Sequence, residues 1–432
     1  MMERIAEELA RRGLDGFEVF YEESAQQPVS FEQNLLQNLE SRTEAGVGVR
    51  VIQDGRVGFT ASSDLRDPKA IADSAIASAR LGPEAAFSFP GQGSFPALDF
   101  EGGDWPLEER LRLGREAVGE LSSLVPGLMV SFTASEMRTR QRIISSSGLD
   151  ISYEKPVYLL AVYASGMTET GYLSDGEYRF FTRPPAPEDV IPQIKERIRK
   201  ALVPGKTGSG KKKVILAPGV MSLMVESLEM GVDGKNVVKG SSPLRGKLDE
   251  SVMGEGITLW DDPLHPWLAG SRPFDDEGQP SRPRPIVERG ILRYYNLDLW
   301  AAAKLGKEPT GSARRSSYKQ LPYPGFSNVV MEGGSLTLEE MVRSVDDGII
   351  VHNTIGGGQS NMMAGDFSFN VGLGFVITHG EIAGRLKDAM VAGNFYEDSH
   401  KILALTRERA PYGTFLLPYA LFDGLTVSVK ET

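Results

Sequence analysis

LMVSFTASEMRTRQRIISSSGLDISYEKPVYLLAVYASGMTETGYLSDGEYRFF, residues 128–181, decides the fold class. Branched and aromatic residues recur there in runs of strand length, Leu128–Glu136, Arg140–Ser146, Ile151–Ser165 and Thr168–Phe181, separated by Ser-Gly and Gly-Met. Strands that follow one another without an intervening helix form an antiparallel meander, not the alternating units of a doubly wound sheet. The expected fold class is therefore α+β.

Upstream, residues 3–12 read as an amphipathic helix and Phe17–Tyr21 as a strand. In GVGVRVIQDGRVGFTASSD (46–64), Val47, Val49 and Val51 alternate with Gly and Arg, and Asp54-Gly55 marks a tight turn into a return strand. Asp67-Pro68 caps a helix over 69–80, and another helix is expected at Leu107–Leu121. Downstream, a helix over Asp189–Lys200 is followed by a Gly, Ser and Lys-rich stretch with nothing to bury. This predicts two domains, a mixed α+β unit over 1–203 and a strand-rich α+β unit over 214–432, joined by a linker at 204–213. In the second unit, Val214–Ala217 reads as a strand, Gly219–Met230 and Leu297–Lys304 as helices, and Ile286–Arg293 as a hairpin. Glu332-Gly333-Gly334 and His379-Gly380 are turns.

The length, 432 residues, exceeds the roughly 100–200 residues of one ordinary core. With 47 Lys+Arg against 58 Asp+Glu, the formal charge is −11 and no basic stripe is concentrated enough to hold a nucleic-acid backbone. The absence of cysteine removes disulfides, thiolate zinc sites and cysteine nucleophiles. No apolar run of about 18 residues is present to span a membrane, and the N-terminus lacks a signal-peptide core, so a cytoplasmic setting is expected. His265, His352, His379 and His400 are scattered, and none forms a metal pair at helical spacing.

The motifs divide between chemical and ordinary readings. GKTGSGKK (205–212) places Lys212 where a phosphate-binding loop needs a hydroxyl, and a strand follows where a helix is required, so the reading is a solvated linker. Asp261-Asp262 and Asp275-Asp276-Glu277 lack calcium-loop spacing and read as solvated turns. Arg314 and Arg315 could grip a carboxylate of a peptide, or they could pair internally with the abundant Asp and Glu. Gly356, Gly357 and Gly358, followed by Gln359, allow a backbone to approach closely or simply turn.

Three segments together resemble the TldD/PmbA family, historically called modulators of DNA gyrase. They are residues 46–65, residues 272–318 with PFDDEG and PTGSARR, and residues 355–382 with GGGQ. The resemblance implies two α+β domains and assembly as a homodimer or heterodimer. It also implies a division between TldD-like zinc peptidases, with a His-Glu-x-x-x-His helix and a later cysteine ligand, and TldE/PmbA-like partners without a metal site. In register, the helix motif falls on Val225-Glu226-Ser227-Leu228-Glu229-Met230, which keeps Glu226 but substitutes Val225 and Met230 for both histidines. The resemblance therefore implies a TldE/PmbA-like subunit with no catalytic residue, metal or cofactor of its own, binding unfolded or small peptides beside a TldD-like zinc peptidase. Gly356, Gly357, Gly358, Gln359, Arg314 and Arg315 are the peptide-binding candidates. Two alternatives remain open: a self-sufficient hydrolase using His265, His352 or Asp275/Asp276, and a gyrase-modulating scaffold.

Overall fold

The computed structural model describes residues 1–100, 102–169, 171–185, 190–356 and 361–430. Helix α1 (Met2–Ala10) buries Met2, Ile5 and Leu9 and leads into β1 (Gly16–Glu32). Then come β2 (Leu35–Asn38), β3 (Arg42–Gln53) and β4 (Arg56–Ser62). Asp54 and Gly55 both hold positive φ, 50° and 69°, the geometry the β3–β4 turn was expected to need. Val47, Val49 and Val51 are fully buried against α2 (Pro68–Ala79) and α1. Each such side chain contributes roughly 1.5–3 kcal/mol by leaving water.

Helix α3 (Leu107–Ser122) precedes β5 (Met129–Ser145), β6 (Asp150–Thr168) and β7 (Gly171–Phe181), followed by α4 (Val190–Lys200). Among the described residues these strands form one antiparallel sheet in the order β4-β3-β1-β5-β6-β7, with β2 also on β1. Two strands are longer than their residues suggest. β5 runs unbroken where separate strands were expected, and β1 continues through Pro28 to Glu32 instead of ending at Tyr21. Proline is accommodated because β3 pairs with β1 only as far as Gln26↔Arg42 and β2 begins at Ser30↔Asn38, so position 28 has no partner on that side to need its missing N–H.

The chain continues through β8 (Gly210–Leu216), α5 (Pro218–Val232), α6 (Gly234–Lys239), β9 (Leu259–Asp261), β10 (Arg284–Glu288) and β11 (Ile291–Leu292). After α7 (Leu299–Leu305) come β12 (Ala313–Arg314), β13 (Tyr323–Pro324), β14 (Val329–Met331) and α8 (Leu338–Arg343). The last elements are β15 (Asp347–Ile355), β16 (Asp366–Thr378), β17 (Glu381–Arg385), β18 (Ala389–Asn394), α9 (Phe395–Asp398), β19 (Ile402–Tyr412) and β20 (Phe415–Val429). The path β20-β18-β16-β15-β8 returns to β20 through a further β20–β8 pairing, which closes these strands into a barrel. Helix α5 lays Val220, Met224, Val225 and Leu228 into the apolar cluster of the barrel's strands. The molecule is α+β.

The segment expected to be a free linker is structured. Residues 210–213 belong to β8 and pair with β20 or β15, and Lys212 reaches Asp347 at 2.8 Å. Gly205 N–H donates to the Arg385 carbonyl at 2.8 Å, and Arg385 N–H to the Val203 carbonyl at 2.7 Å. Lysines lie comfortably in a strand when their stems cover apolar surface and their ammonium groups reach solvent, a possibility a composition-based reading overlooks.

Candidate functional site

Helix α5 begins with Pro218, whose fixed φ suits the first helical position. Its apolar residues fix which face is inward. Val225 is fully buried, whereas Met230 is 39% exposed. Five residues of α-helix rotate a side chain by roughly 140° net, so the two positions look in different directions. An isopropyl group in the core and an exposed thioether do not fit zinc, which takes nitrogen, thiolate or carboxylate donors. Among the described residues, no three His, Cys, Asp or Glu side chains form a group able to hold a metal ion.

Glu226 lies at the helix surface, and Glu229 is partly buried. The Glu229 carboxylate accepts the Phe326 N–H at 2.9 Å, while Arg314 donates from Nη1 to the Phe326 carbonyl at 2.6 Å. Gly325 permits this approach, since a Cβ there would lie 3.2 Å from both Arg314 Cγ and Glu229 Oε1. Burial pushes the Glu229 carboxyl up, opposed by the Phe326 N–H and by Arg314. Burial and the neighbouring Glu229 push Glu226 up as well. The structure thus joins Arg314 to α5, a link no local sequence signal revealed, and Glu229 serves the 325–326 turn.

Arg315 has a different environment. Its guanidinium is enclosed, pairs with Glu18 and lies 4.5 Å over the Phe20 ring, so the internal ion pair replaces the expected grip on a peptide. Glu18 also receives Arg50 from Nε at 3.1 Å and Nη2 at 2.5 Å, and Arg50 extends Nη1 to Glu277 at 2.5 Å. The acidic run expected as a solvated turn is buried too. Asp275 accepts the N–H groups of Glu277, Gln279 and Ala313, and Asp276 accepts that of Arg315. Burial raises Asp275 to about 6 and Glu277 to about 7. Carboxylates saturated in this way organise the join between the two halves of the chain and have no free oxygen pair turned to solvent.

His265 packs edge-on against Trp267 at 4.7 Å, and His352 packs against Phe375 and Tyr419; among the described residues neither belongs to a group of three or more His, Cys, Asp or Glu able to hold a metal ion. Gly356 is exposed with φ of 74° and open space around its Cβ position. Gly357, Gly358 and Gln359 lie outside the described residues. Just before them, β15 pairs with β8 only through Val351, while Asn353–Ile355 pairs with β16 alone. The opposite edge of 353–355 carries no strand among the described residues, and such an edge can accept an extended chain.

Residues 209–429 match the model of the PmbA/TldA metallopeptidase C-terminal domain, and residues 17–79 match PmbA/TldA metallopeptidase domain 1. A metalloprotease PmbA from Escherichia coli O157:H7 is 26% identical, covering 95% of this chain and 93% of its own. A metalloprotease TldD homolog from Buchnera aphidicola is 27% identical, covering 92% and 86%. The crystal structure of TldE from Thermococcus kodakarensis superimposes with a TM-score of 0.86 at 24% identity, over 98% of this chain and all of the other, a likeness of fold.

Proposed function

Because the chain belongs to the PmbA/TldD metallopeptidase family, we propose that it is a TldE/PmbA-like subunit that holds unfolded or small peptides for a TldD-like zinc peptidase and does not itself cut them. The observation that carries this reading is α5, where Val225 is packed into the core and Met230 is a thioether at the positions the family resemblance gives to zinc-binding histidines. Glu226 remains, but a general base without a metal-bound water has no activated nucleophile to generate.

The open edge at Asn353–Ile355, running into Gly356–Gln359, supports peptide capture by strand addition, with backbone groups supplying affinity. Arg314, partly buried and joined to Glu229 through Phe326, is a second contact for such a peptide. The acidic balance of the sequence, a formal charge of −11, does not favour the gyrase-scaffold reading.

Mixing the full chain with a TldD-like subunit from the same cells tests the proposal. The expected result is a co-eluting complex that degrades a fluorogenic unfolded peptide, with the chain alone inactive in the presence of zinc. Chelator-sensitive turnover by the chain alone that is lost on Glu226→Gln overturns it.

A further inference from the structure

A cavity of about 630 Å³ opens between α4, α8 and the barrel. One wall is apolar: Leu338, Val342, Ile350, Phe375 and Ile382. The lining also includes Gln193, Arg197, His352 and Tyr419, which line an adjoining cavity of about 220 Å³ reaching Ala217 and Pro218 as well. The second cavity therefore ends at the first turn of α5, a helix long enough for its dipole to bring partial positive charge there.

The polar groups on the shared wall are donors. Arg197 uses Nε on Asp175 at 2.7 Å and Nη2 on Glu177 at 3.0 Å, and its Nη1 has no partner among the described residues. Tyr419 Oη lies 3.5 Å from His352 Nδ1, too long for a firm bond, so neither group is committed to the other. Burial, followed by Arg197 and Lys200, lowers His352 to about 3, which keeps its imidazole neutral. Burial raises Tyr419 to about 12, so its hydroxyl keeps its proton. Two of the lining carboxylates are matched within their own helices, Glu196 by Lys200 at 2.7 Å and Glu339 by Arg343, and Glu381 is exposed.

We propose that this paired cavity binds an organic carboxylate with an apolar body, the body lying along the Leu338–Val342–Ile382 wall and the carboxylate meeting Arg197, His352 and Tyr419. Its volume is that of a ligand site, with an apolar surface and a few convergent polar groups. The inference does not rest on the partner-subunit reading, because its ligand contacts are on this chain alone. A free aliphatic acid and the C-terminal residue of a peptide share the chemistry.

Calorimetric titration of the full chain at pH 7 tests this with octanoate, N-acetyl-Ala-Ala-Phe bearing a free carboxylate, and the C-terminal amide of the same peptide. At least one of the two acids should bind, and the amide should bind about tenfold more weakly than the peptide acid or not at all, because a charge-assisted bond is lost. Binding of octanoate alone or of the peptide acid alone upholds the site and identifies the source. Tyr419→Phe should weaken binding about tenfold or more, the worth of one hydrogen bond to a charged carboxylate. Ile382→Glu, at a position 38% exposed, should abolish binding while leaving the thermal melt unchanged. Neither acid binding at 10 mM (about 3 kcal/mol of affinity), equal binding of peptide acid and amide, or full binding by Ile382→Glu overturns the proposal.

Discussion

Replacing Glu18 by glutamine removes one charge from a site where it neutralises two buried guanidinium groups. Glu18 is fully buried, the Arg50 and Arg315 side chains are 3% and 0% exposed, and the remaining protein acceptors include Glu277 for Arg50 and the Asp276 and Gln320 carbonyls for Arg315. Burial acts to raise the Glu18 carboxyl, but Arg50 and Arg315 outweigh it, and the folded value falls below the ordinary one. Breaking a buried pair while leaving its partner charged costs about 3–5 kcal/mol. With a urea slope of about 3 kcal/mol/M, the midpoint of Glu18→Gln should fall by about 1–1.7 M. Glu44→Gln, which removes an exposed partner of Lys319, should leave the midpoint unchanged. The linkage has a definite sign. A depressed folded pKa contributes stability above the unfolded value of about 4.3 and loses it as pH falls toward the folded value, so the advantage of wild type over Glu18→Gln should narrow below about pH 4.3. Urea unfolding followed by circular dichroism at pH 7 and pH 3.5 measures both effects. A loss under about 1 kcal/mol at pH 7, or an advantage that widens in acid, would refute the account of this network as the clamp between the halves.

Further outcomes follow from single contacts. Gly48→Val places a Cβ 2.4 Å from the Tyr318 carbonyl, so β3 and the 315–320 segment must separate; calorimetry should show a loss of about 1–3 kcal/mol. His352, held at about 3 when folded against about 6.5 unfolded, binds its proton only on unfolding, so stability should drop by about 2 kcal/mol from pH 7 to pH 5. His352→Phe should remove that part of the slope, and an unchanged slope counts against the burial of the imidazole. Lys155 donates to the Ala269 and Ser271 carbonyls and is lowered to about 7 by burial, then by Arg314 and Arg272. Wild-type stability should therefore rise between pH 7 and pH 10, where the folded lysine is neutral and the unfolded one still binds its proton. A Lys155→Met variant that keeps this rise disproves the assignment.

Local chemistry made much of the fold legible. Asp54-Gly55, Arg289-Gly290 and His379-Gly380 all turn with positive φ at both residues, as those dipeptides require. The alternation of Val and Gly in β3 was visible, but its second purpose was not: Gly46 and Gly48 are bare so that Tyr318, some 270 residues later, can lie against the strand. The acidic run at 275–277 was misread for a related reason. A buried carboxylate is tolerable only beside its partner, and Glu277 finds Arg50 across a separation of 227 residues, while Arg315 finds Glu18 across 297. Composition near a charged residue cannot reveal a counter-charge that arrives from another sheet. At the candidate site, Val225 and Met230 at the positions the family resemblance gives to histidines were legible in the sequence, whereas the coupling of Arg314 to Glu229 through Gly325 and Phe326 needed the fold.

The pairing of β8 with β20 sets Gly210 opposite Val427. The point at which the chain enters the barrel and the point at which it leaves are therefore neighbours. A unit whose two ends meet can be spliced into another protein, or have its ends sealed and a new break opened in a surface turn, without dragging a strand through its interior. The barrel shares its core with the first sheet, where Ile215, Ile350, Phe375 and Leu421 pack with Phe132 and Leu160, so a graft of the barrel must carry that sheet along or replace the apolar face it covers.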